Sequence, residues 1–485
     1  MYPHVEITRE ILPDSSVIII LKDDKLPDWF VLTKSEHEYA RKCIRDKEEI
    51  ILINSYYKLN LIIPVKAFDE PYRMYEELRR QASRVKDILK QHKKKEIVIA
   101  SDHDVNSVFS FAEGLILSSY EFNKYKKKEG KSDNQTYPSG IYLYGDIKNN
   151  EVDWLNAVSR GVYFARDLVN EPNNYLNASE FADIVKHYAG NAGVQVDIYG
   201  RKKIEALRMG GILAVNKGSL DPPSFSILEW NPPEAVNNKP VILVGKGVMF
   251  DTGGINLKPT SYIEEMKADM AGGAVVAAVL SAIAEAGINV HIIGLIPATD
   301  NRPGQDAIVP GDIITMFNGT RVEIINTDAE GRLILADALS FAGNYNPSLV
   351  VSIATLTGSA ENAFGNQAIA TMGNADRKLF DLLAESGNTV YERLAEMPFF
   401  EEYGEMIKSE IANLKNLGEK KAGAITAGKF LEHFTNYPFI HLDIAGCAIS
   451  QKEEHYRPRG GTGTGVRLLT DFIRRLEKGM KKRKN

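Results

Sequence analysis

Cysteine and histidine are scarce in this chain, which has two cysteines and nine histidines in 485 residues. Cys43 and Cys447 allow at most one disulfide, which excludes a small disulfide-stapled fold and favours a reduced, cytoplasmic protein. With so few imidazoles and thiols, any metal or acid–base chemistry is expected to use carboxylates, lysines and arginines instead.

Long apolar runs and a strong charge of one sign are also lacking. The longest apolar runs, such as Ser16–Leu21 and Val241–Val244, are far shorter than the roughly 20 residues that cross a bilayer. Residues Met1–Pro13 have no apolar core of the kind found in signal peptides. Hydrophobic residues are 44%, charged residues 25% and the net charge is −5, an ordinary globular balance. We therefore expect two or three soluble domains and neither a membrane nor a nucleic-acid partner.

The first part of the chain is predicted to be mixed α/β. Ser16–Leu21 and Glu96–Ala100 are typical of buried strands, and Tyr72–Gln91 of a charged, surface-facing helix. Apolar spacing predicts a second helix over Phe111–Tyr125, followed by a polar loop at Lys126–Thr136.

A helical pattern over Glu151–Asn170 stops before Pro172 and predicts a helix that connects two domains. After it, apolar strands alternate with helices, which favours a parallel or mixed sheet with ligands beyond the carboxyl ends of its strands. The predicted strands are Val241–Val244, Val290–Ile296, Arg321–Ile325, Leu349–Ala354 and Pro438–Leu442, and the predicted helices are Met270–Glu285 and Gly331–Ala342.

Several familiar motifs are incomplete. His37-Glu38 begins a zinc-binding helix motif, but Arg41 stands where the second histidine belongs. Gly423–Lys429 is similar to a phosphate-binding loop, yet Phe430 replaces the required serine or threonine. The basic tail Arg474–Lys484 is best explained as a frayed, solvated terminus, and nucleic-acid contact is the minor alternative.

Four carboxylates follow predicted strands or precede predicted helices: Asp251, Asp269, Asp328 and Glu330. Each alone is explained by a cap or a surface loop, but together they would repel strongly and raise each other's pKa. Two divalent cations neutralise four negative charges, so the grouping predicts a two-metal site. If the second segment is extended, Asp328, Glu330 and Arg332 point to the same side.

The segments that carry these residues resemble a known family. VGKGVMFDTGG at Val244–Gly254, MKADM at Met266–Met270 and NTDAEGRL at Asn326–Leu333 are similar to signature segments of the dimetal leucyl aminopeptidase family, of the cytosol aminopeptidase type. The similarity extends over roughly residues 105 to 475 and includes TLTGSA at Thr355–Ala360 and the later HLDIAG. It implies an α/β protein with a smaller, macro-like N-terminal α/β domain. The larger C-terminal catalytic domain would have a central mixed β-sheet flanked by helices, as in zinc peptidases.

The resemblance also implies a division of the metal ligands. Lys246, Asp251, Asp269 and Glu330 would hold the tighter ion, with Lys246 as a neutral amine. Asp251, Asp328 and Glu330 would hold the exchangeable one. The expected ions are Zn²⁺ and/or Mn²⁺, with Mg²⁺ or Co²⁺ also suited to the exchangeable site, because oxygen ligands accept all of these ions.

By the same resemblance, the protein would be a metallo-exopeptidase that releases N-terminal residues, preferring leucine and other apolar ones. A water activated by the two metals would attack the peptide carbonyl, and Lys258 would stabilise the oxyanion. Every grouped carboxylate is assigned to metal, so the base would be a bicarbonate ion held by Arg332. The substrate's free α-amine would bind the exchangeable metal.

The substrate pocket and the assembly are likewise inferred from the resemblance. The pocket for the first side chain would be lined by Met266, Thr355, Gly358, Ala445 and Ala448, with Leu356 offering backbone contacts. Ala448 is smaller than the residue often found there, which implies a wider pocket. The subunits would form a homohexamer, each with an N-terminal domain at residues 1–150, a connecting helix at 151–170 and the dimetal catalytic domain at 171–485.

Two other functions are considered. A catalytically inactive homologue that serves only as a binding protein would need a broken site, but the seven charged positions Lys246, Asp251, Lys258, Asp269, Asp328, Glu330 and Arg332 are all intact. An added nucleic-acid-binding role is suggested by the basic tail and opposed by the net charge of −5.

Overall fold

A computed structural model describes residues 2–22, 25–126 and 137–484. The predicted loop Lys126–Thr136 lies outside these residues apart from Lys126. By its internal contacts the chain divides into two units, Met1–Arg160 with Lys452–Arg459, and Gly161–Gln451 with Gly460–Asn485.

The N-terminal unit is built on one mixed sheet. Its strands are β1 (His4–Thr8), β2 (Val17–Leu21), β3 (Ile51–Ser55), β4 (Lys58–Pro64), β5 (Glu96–Ser101) and β6 (Gly140–Tyr144), in the order β1-β6-β5-β2-β4-β3. The helices are α1 (Lys34–Arg45), α2 (Pro71–Gln91), α3 (Val105–Ser118) and α4 (Asn149–Asn170), which continues into the second unit. All pairs are parallel except β3 with β4. The buried sequence VIIIL of β2 suits its central place.

The helices of this unit correct two predictions. Helix α2 is not simply surface-facing, since Leu78, Ala82 and Val85 are fully buried. It packs so closely on α3 that a β-carbon on Gly114 would lie 2.5 Å from the carbonyl oxygen of Arg79. The predicted helix Phe111–Tyr125 instead ends at Ser118. Its last turn is closed by serine hydroxyls, because both Ser118 and Ser119 donate to the carbonyl of Leu115.

The second unit contains the larger sheet. Its strands are β7 (Gln195–Gly200), β8 (Ser224–Trp230), β9 (Val241–Gly245), β10 (Gly247–Asp251), β11 (Ile292–Asn301), β14 (Leu349–Ala354), β15 (Ile369–Gly373), β16 (Leu394–Glu396) and β18 (Phe439–Asp443). A small separate sheet consists of β12 (Ile313–Thr315), β13 (Arg321–Glu323) and β17 (Leu414–Lys415), and a hairpin of β19 (Ile449–Ser450) and β20 (Gly460–Gly461).

Helices cover the large sheet. They are α5 (Ala178–Asn191), α6 (Arg201–Ala206), α7 (Gly210–Asn216), α8 (Thr260–Ile263), α9 (Ala271–Glu285), α10 (Gly331–Ala342), α11 (Gly358–Phe364), α12 (Arg377–Val390), α13 (Glu402–Glu405), α14 (Gly423–Glu432) and α15 (Val466–Lys484). Short 3₁₀ turns lie at Met266–Ala268 and Gly343–Tyr345.

The centre of the large sheet is parallel and its edges are mixed. The order is β16-β15-β18-β14-β9-β11-β8-β7, with β10 paired to β11. Strands β18, β14, β9 and β11 run parallel, whereas β8 and β15 run antiparallel to their inner neighbours. The predicted central mixed sheet flanked by helices is therefore confirmed. The predicted strand Arg321–Ile325 is β13, which ends at Glu323 and belongs to the small sheet.

The C-terminal tail is not a frayed segment. Arg474 and the residues after it continue α15, in which Leu476 and Glu477 are 8% and 6% exposed. The Glu477 carboxylate accepts a hydrogen bond from the main-chain N–H of Asn289 at 3.0 Å. Leu476 and Glu477 therefore pack against the rest of the second unit, as a frayed segment would not.

One apolar stretch is longer than those considered from the sequence. Met266–Glu285 has the length and hydropathy of a membrane span, but 94% of its most apolar part is buried inside the protein. It contains α9, whose alanines and glycines pack against the central strands, so a core helix explains it. Cys43 and Cys447 are both buried and form no disulfide bond.

Candidate active site

All five predicted metal ligands come from chain segments that meet at the carboxyl ends of the central strands. Lys246 follows β9, and Asp251 ends the adjacent β10. Asp269 lies between the turn at Met266–Ala268 and α9, while Asp328 and Glu330 precede α10. The topology therefore brings together, at one edge of the sheet, residues that are up to 84 positions apart in sequence. Ligand sites in such sheets are expected at this edge.

Lys246 lies among buried carboxylates. Its Nζ atom is 2.6 Å from Oδ2 and 2.7 Å from Oδ1 of Asp269, and 2.9 Å from Oε1 of Glu330. It also donates to the carbonyl of Thr355 at 3.0 Å. The Lys246 side chain is 3% exposed, so this group is shielded from solvent.

Lys258 forms the second charged contact of the site. Its Nζ atom is 2.8 Å from Oδ2 of Asp251 and 2.6 Å from Oδ1 of Asp328. The Lys258 side chain is 16% exposed and that of Asp328 is 33% exposed. This side of the cluster is therefore open to solvent, in contrast to the side occupied by Lys246.

Asp251, Asp328 and Glu330 are arranged as a group that suits a metal ion. One carboxylate oxygen of each lies within 4.8 Å of the others. Such hard oxygen donors bind divalent cations such as Mn²⁺ and Mg²⁺. The described residues thus fit the metal chemistry expected from the sequence.

Asn301, which the sequence analysis did not single out, orients these carboxylates. It ends β11, is 3% exposed, and its Nδ2 atom donates to Oδ1 of Asp251 at 2.8 Å and to the carbonyl of Thr327 at 3.0 Å. Oε2 of Glu330 lies 3.5 Å from the same nitrogen. Residues that orient metal ligands typically hydrogen-bond to them in this way, and the Asn301 amide contacts two predicted ligands.

The prediction that Asp328–Arg332 is extended is wrong. Residues 327–328 form a turn, and α10 begins at Gly331. Asp328 and Glu330 reach the same cluster because the chain turns there, whereas Arg332 lies inside the first turn of the helix. A β-carbon on Gly331 would lie 2.3 Å from Cε of Lys246, so glycine permits the close approach of helix and lysine.

The turn after β10 also depends on glycine. Gly253 has φ +85°, and a β-carbon there would lie 2.4 Å from the carbonyl oxygen of Asn256 and 2.8 Å from Oδ1 of Asp328. The close approach of these backbone and side-chain atoms therefore requires glycine at position 253.

Burial and mutual repulsion act on the carboxylates. Burial, followed by repulsion from Glu330, raises the pKa of Asp251, and burial raises the pKa of Asp269 well above its usual range. Burial and the nearby Asp251 raise the pKa of Asp328. Carboxylates in this state are stabilised by any cation that enters, because a cation favours their charged form.

The lysines show the converse effect. Burial disfavours the ammonium form of Lys246, but attraction by Asp269, Glu330 and Asp251 outweighs it and raises its pKa. Lys258 behaves alike, with Asp251, Glu330 and Asp328 as the attracting groups. In the protein alone, these two ammonium groups are held by the carboxylates.

Arg332 is buried with unused donors. Its side chain lies inside the protein at 4% exposure, and Nε and Nη1 have no hydrogen-bond partner among the described residues. Burial lowers the pKa of Arg332 to about 10, while Glu330 and Asp443 oppose that effect. A buried guanidinium with free N–H groups is a good binding partner for a small anion.

The residues predicted to line the substrate pocket lie on three segments of the second unit. Half-buried Met266 begins a 3₁₀ turn, and Thr355, Leu356 and Gly358 follow β14. Ala445 and the buried Ala448 follow β18. Thr355 is tied to the acidic cluster, since its hydroxyl donates to Oδ1 of Asp269 at 2.8 Å.

The fold agrees with the sequence that Gly423–Lys429 is not a phosphate-binding loop. The segment is the body of α14, and Nζ of Lys429 donates to Oε2 of Glu432 at 2.8 Å. The Lys429 side chain is 3% exposed and its ammonium group also contacts the ring of Phe399, so the residue packs within this part of the protein.

Comparison with known proteins decides the family. Residues 163–470 match the sequence profile for the catalytic domain of the cytosol aminopeptidase family. The chain belongs to the cytosol aminopeptidase family. It is 44% identical over 384 residues to a probable cytosol aminopeptidase of Chlorobium limicola, covering 76% of this chain and 75% of that protein. It is 41% identical over 371 residues to one of Geobacter sp. strain M21, again covering 76% and 75%.

A solved structure supports the fold of this cytosol aminopeptidase family member. The bottromycin maturation enzyme BotP in complex with Mn has a TM-score of 0.82 at 27% identity, covering 96% of this chain and 100% of that one. Membership makes the chain a hydrolase, a metal-dependent aminopeptidase that binds divalent cations and acts on peptides.

Proposed function

We propose that this aminopeptidase releases N-terminal residues, preferring leucine and other apolar ones, at a two-metal site. The observation that carries the proposal is the convergence of Asp251, Asp269, Asp328 and Glu330 around two lysine ammonium groups. Among the described residues these four carboxylates form ion pairs with two ammonium groups, Lys246 and Lys258, so further positive charge stabilises the arrangement.

The ligands divide by burial into two groups. Asp269, Lys246 and Glu330 are nearly solvent-free and would hold the tighter ion together with Asp251. Asp328, with a side chain 33% exposed, would complete the exchangeable site with Asp251 and Glu330. When bound, such a metal pair activates water and polarises the carbonyl of the scissile bond. Zinc and manganese are the ions we propose.

Lys258 is proposed to stabilise the oxyanion. It is the more exposed of the two lysines, and its raised pKa keeps it protonated at neutral pH. A protonated amine beside the reacting carbonyl stabilises the negative charge that develops on the oxygen. Lys246 lies deeper and would serve as a ligand in its neutral form, because two bound cations would oppose the carboxylate attraction that raises its pKa in the protein alone.

Arg332 is proposed to hold a bicarbonate ion that acts as the base. Its Nε and Nη1 groups are without partners among the described residues, and it lies in the first turn of α10. The N–H groups at a helix start and a guanidinium together bind anions well. Bicarbonate supplies the proton acceptor that the ligand carboxylates cannot supply while they hold metal.

The pocket for the first side chain is proposed at the segments that carry Met266, Thr355, Leu356, Gly358, Ala445 and Ala448. Met266 offers a flexible apolar surface, which suits leucine or methionine side chains. Ala448 adds little volume, so the pocket accepts larger residues as well.

The localisation, the assembly and the domain boundaries of the enzyme are also proposed. We propose a cytoplasmic homohexamer, in line with the family's name and with two buried cysteines that form no disulfide bond. We propose domains at 1–150 and 171–485 joined by the helix 151–170, and the described chain divides within that helix, at Arg160.

The proposal is tested by hydrolysis of Leu-p-nitroanilide with Mn²⁺ or Zn²⁺, beside N-acetyl-Leu-p-nitroanilide. We expect cleavage of the free-amine substrate alone, and a preference for leucine over glycine and lysine. Asp269→Asn provides the matched inactive control, because it removes a charge from the buried ligand set with almost no change in volume. Equal cleavage of the acetylated substrate would refute exopeptidase action.

A further inference from the structure

Asp443 ends β18 and is buried, with 2% of its surface exposed. It pairs with Ala354, the last residue of β14, in the parallel register of the two strands. The two loops that leave these strands therefore start side by side. They carry Thr355, Leu356, Gly358, Ala445 and Ala448 of the proposed substrate pocket.

The carboxylate of Asp443 binds both loops. Oδ1 accepts hydrogen bonds from the main-chain N–H of Leu356 and of Ala445, each at 3.1 Å. Oδ2 accepts one from the hydroxyl of Thr357 at 2.7 Å. One oxygen atom thus joins a backbone group of each pocket loop, and no other side chain is shown to do so in the described chain.

The first loop is also fixed on its other side. Thr355 donates its hydroxyl to Asp269 at 2.8 Å and accepts from Lys246 through its carbonyl at 3.0 Å. Its neighbour Leu356 is held by Asp443. The segment is therefore attached to the proposed metal ligands at one residue and to Asp443 at the next.

The second loop is compact between Asp443 and Ala448. The N–H of Ala448 donates to the carbonyl of Ile444 at 2.9 Å, and its own carbonyl accepts from the N–H of Thr462 at 3.0 Å. Ala445, at the start of this turn, is anchored by Asp443. A change at Asp443 consequently reaches Ala448 through one turn of backbone.

We propose that Asp443 is a positioning residue that sets the separation of the two pocket loops and thereby the size preference for the first substrate side chain. The inference rests on the proposed function, and it makes Asp443 neither a metal ligand nor a group that touches substrate. It acts through Leu356 and Ala445, because backbone groups held by one buried carboxylate cannot shift independently.

Asp337 provides a matched control. It is also a fully buried aspartate on the second unit, and it accepts from the N–H of Ile212 at 3.0 Å and of Phe317 at 2.9 Å. Its partners lie on α7 and after β12, outside the proposed pocket loops. Its removal creates the same kind of defect elsewhere, namely two buried N–H groups without an acceptor.

The experiment compares Asp443→Ala, Asp443→Asn and Asp337→Ala with the wild type, all loaded with Mn²⁺. Metal content, Tm, and kcat and KM for Leu-, Met- and Ala-p-nitroanilide are measured. We expect Asp443→Ala to lower the Leu-to-Ala ratio of kcat/KM about tenfold, the effect of a methylene-sized pocket change, with metal content unchanged. Asp443→Asn should restore most of the ratio, since an amide oxygen still accepts from Leu356 and Ala445. Asp337→Ala should lower Tm without changing the ratio.

Equal loss of activity on all three substrates in Asp443→Ala, or the same ratio change in Asp337→Ala, would overturn the inference. If Asp443→Ala does not fold, Thr357→Val and Thr357→Ser decide: only valine removes the hydroxyl bound to Oδ2, so only valine should lower the ratio. An unchanged ratio in Thr357→Val would then overturn it. A wild-type protein that releases no N-terminal residue would overturn the proposed function and this inference together.

Discussion

The ammonium group of Lys246 lies between the two oxygens of the Asp269 carboxylate, 2.7 Å from Oδ1 and 2.6 Å from Oδ2. The two residues are 23 positions apart, and both side chains are nearly solvent-free. Leaving one of these charges buried without the other would cost several kcal/mol. This pair lies in the more buried half of the proposed metal site.

Removing the amide of Asn301 should weaken metal binding. Asn301→Ala deletes the N–H groups that hold Asp251 and Thr327, and loss of a group that orients metal ligands typically costs about 10–100-fold in affinity. Isothermal titration of the demetallated protein with Mn²⁺ measures the change.

Asn216→Ala is the control for Asn301, because Asn216 is equally buried and its amide donates to the carbonyl of Asp221 at 2.8 Å and to Thr299. We expect reduced stability and unchanged Mn²⁺ affinity. An Asn301→Ala variant that binds Mn²⁺ as tightly as Asn216→Ala would argue against the orienting role.

Removing the Lys258 ammonium should slow the reaction and leave the metals bound. Loss of one group that stabilises an oxyanion costs about 10²–10³ in kcat. Lys258→Ala should show this loss with an unchanged metal content by atomic absorption, and the exposed Lys239→Ala should match the wild type. Loss of metal from Lys258→Ala would mean that the residue holds the site together and does not stabilise the oxyanion.

Arg332 should make the activity depend on bicarbonate. In carbonate-free buffer, added bicarbonate should raise kcat of the wild type. Arg332→Ala should be slower by about 10²–10⁴, the usual contribution of a positioned proton acceptor, and should not respond to bicarbonate. The steady-state rate against bicarbonate concentration is the measurement, and a wild type that is insensitive to bicarbonate would contradict the proposed base.

Asp337 should make stability fall as pH rises from about 4 to 7. Burial outweighs its hydrogen bonds from Ile212 and Phe317 and raises its pKa to about 7, above its value in the unfolded chain. Such a group stabilises the folded state fully below the unfolded pKa, and this contribution is lost as pH rises through the folded pKa. A shift of about 3 units corresponds to ~4 kcal/mol at most.

The test of Asp337 is the free energy of unfolding in urea between pH 4 and 8, with saturating Mn²⁺, for the wild type and Asp337→Asn. Since asparagine does not titrate, the variant should lose less stability over this range. Parallel curves for the two proteins would show that Asp337 keeps the same protonation in the folded and unfolded states.

Much of the fold was predictable, because the spacing of apolar residues identifies the helices and short apolar runs identify the buried strands. Helix α10 begins at Gly331 and ends at Ala342, as its apolar spacing indicates, and Gly287, with φ +62°, lies just beyond α9. The end of α3 was not predictable, because apolar spacing continues through Tyr120 and Phe122 after the serine side chains have closed the helix.

The candidate site was predictable in its charged residues and less so in its neutral ones. Four carboxylates and two lysines lie near the ends of buried strands. Burying a charge there costs free energy unless the charge is paired or binds a metal. Asn301 and Asp443 leave no such pattern, since the partners of Asn301 are 26, 29 and 50 positions away and those of Asp443 in the first pocket loop are 86 and 87 positions away. The alternation expected at Asp328 and Glu330 failed because a local turn and helix start replace the strand.

The central claim is a metal-dependent aminopeptidase with two ions in each chain. The most direct measurement is the rate of Leu-p-nitroanilide hydrolysis as the chelated protein is reconstituted with Mn²⁺ or Zn²⁺, with bound metal counted at each step. We expect no activity after exhaustive chelation and full activity near two ions per chain. Activity that survives chelation, or that is complete at one ion per chain, would contradict the central claim.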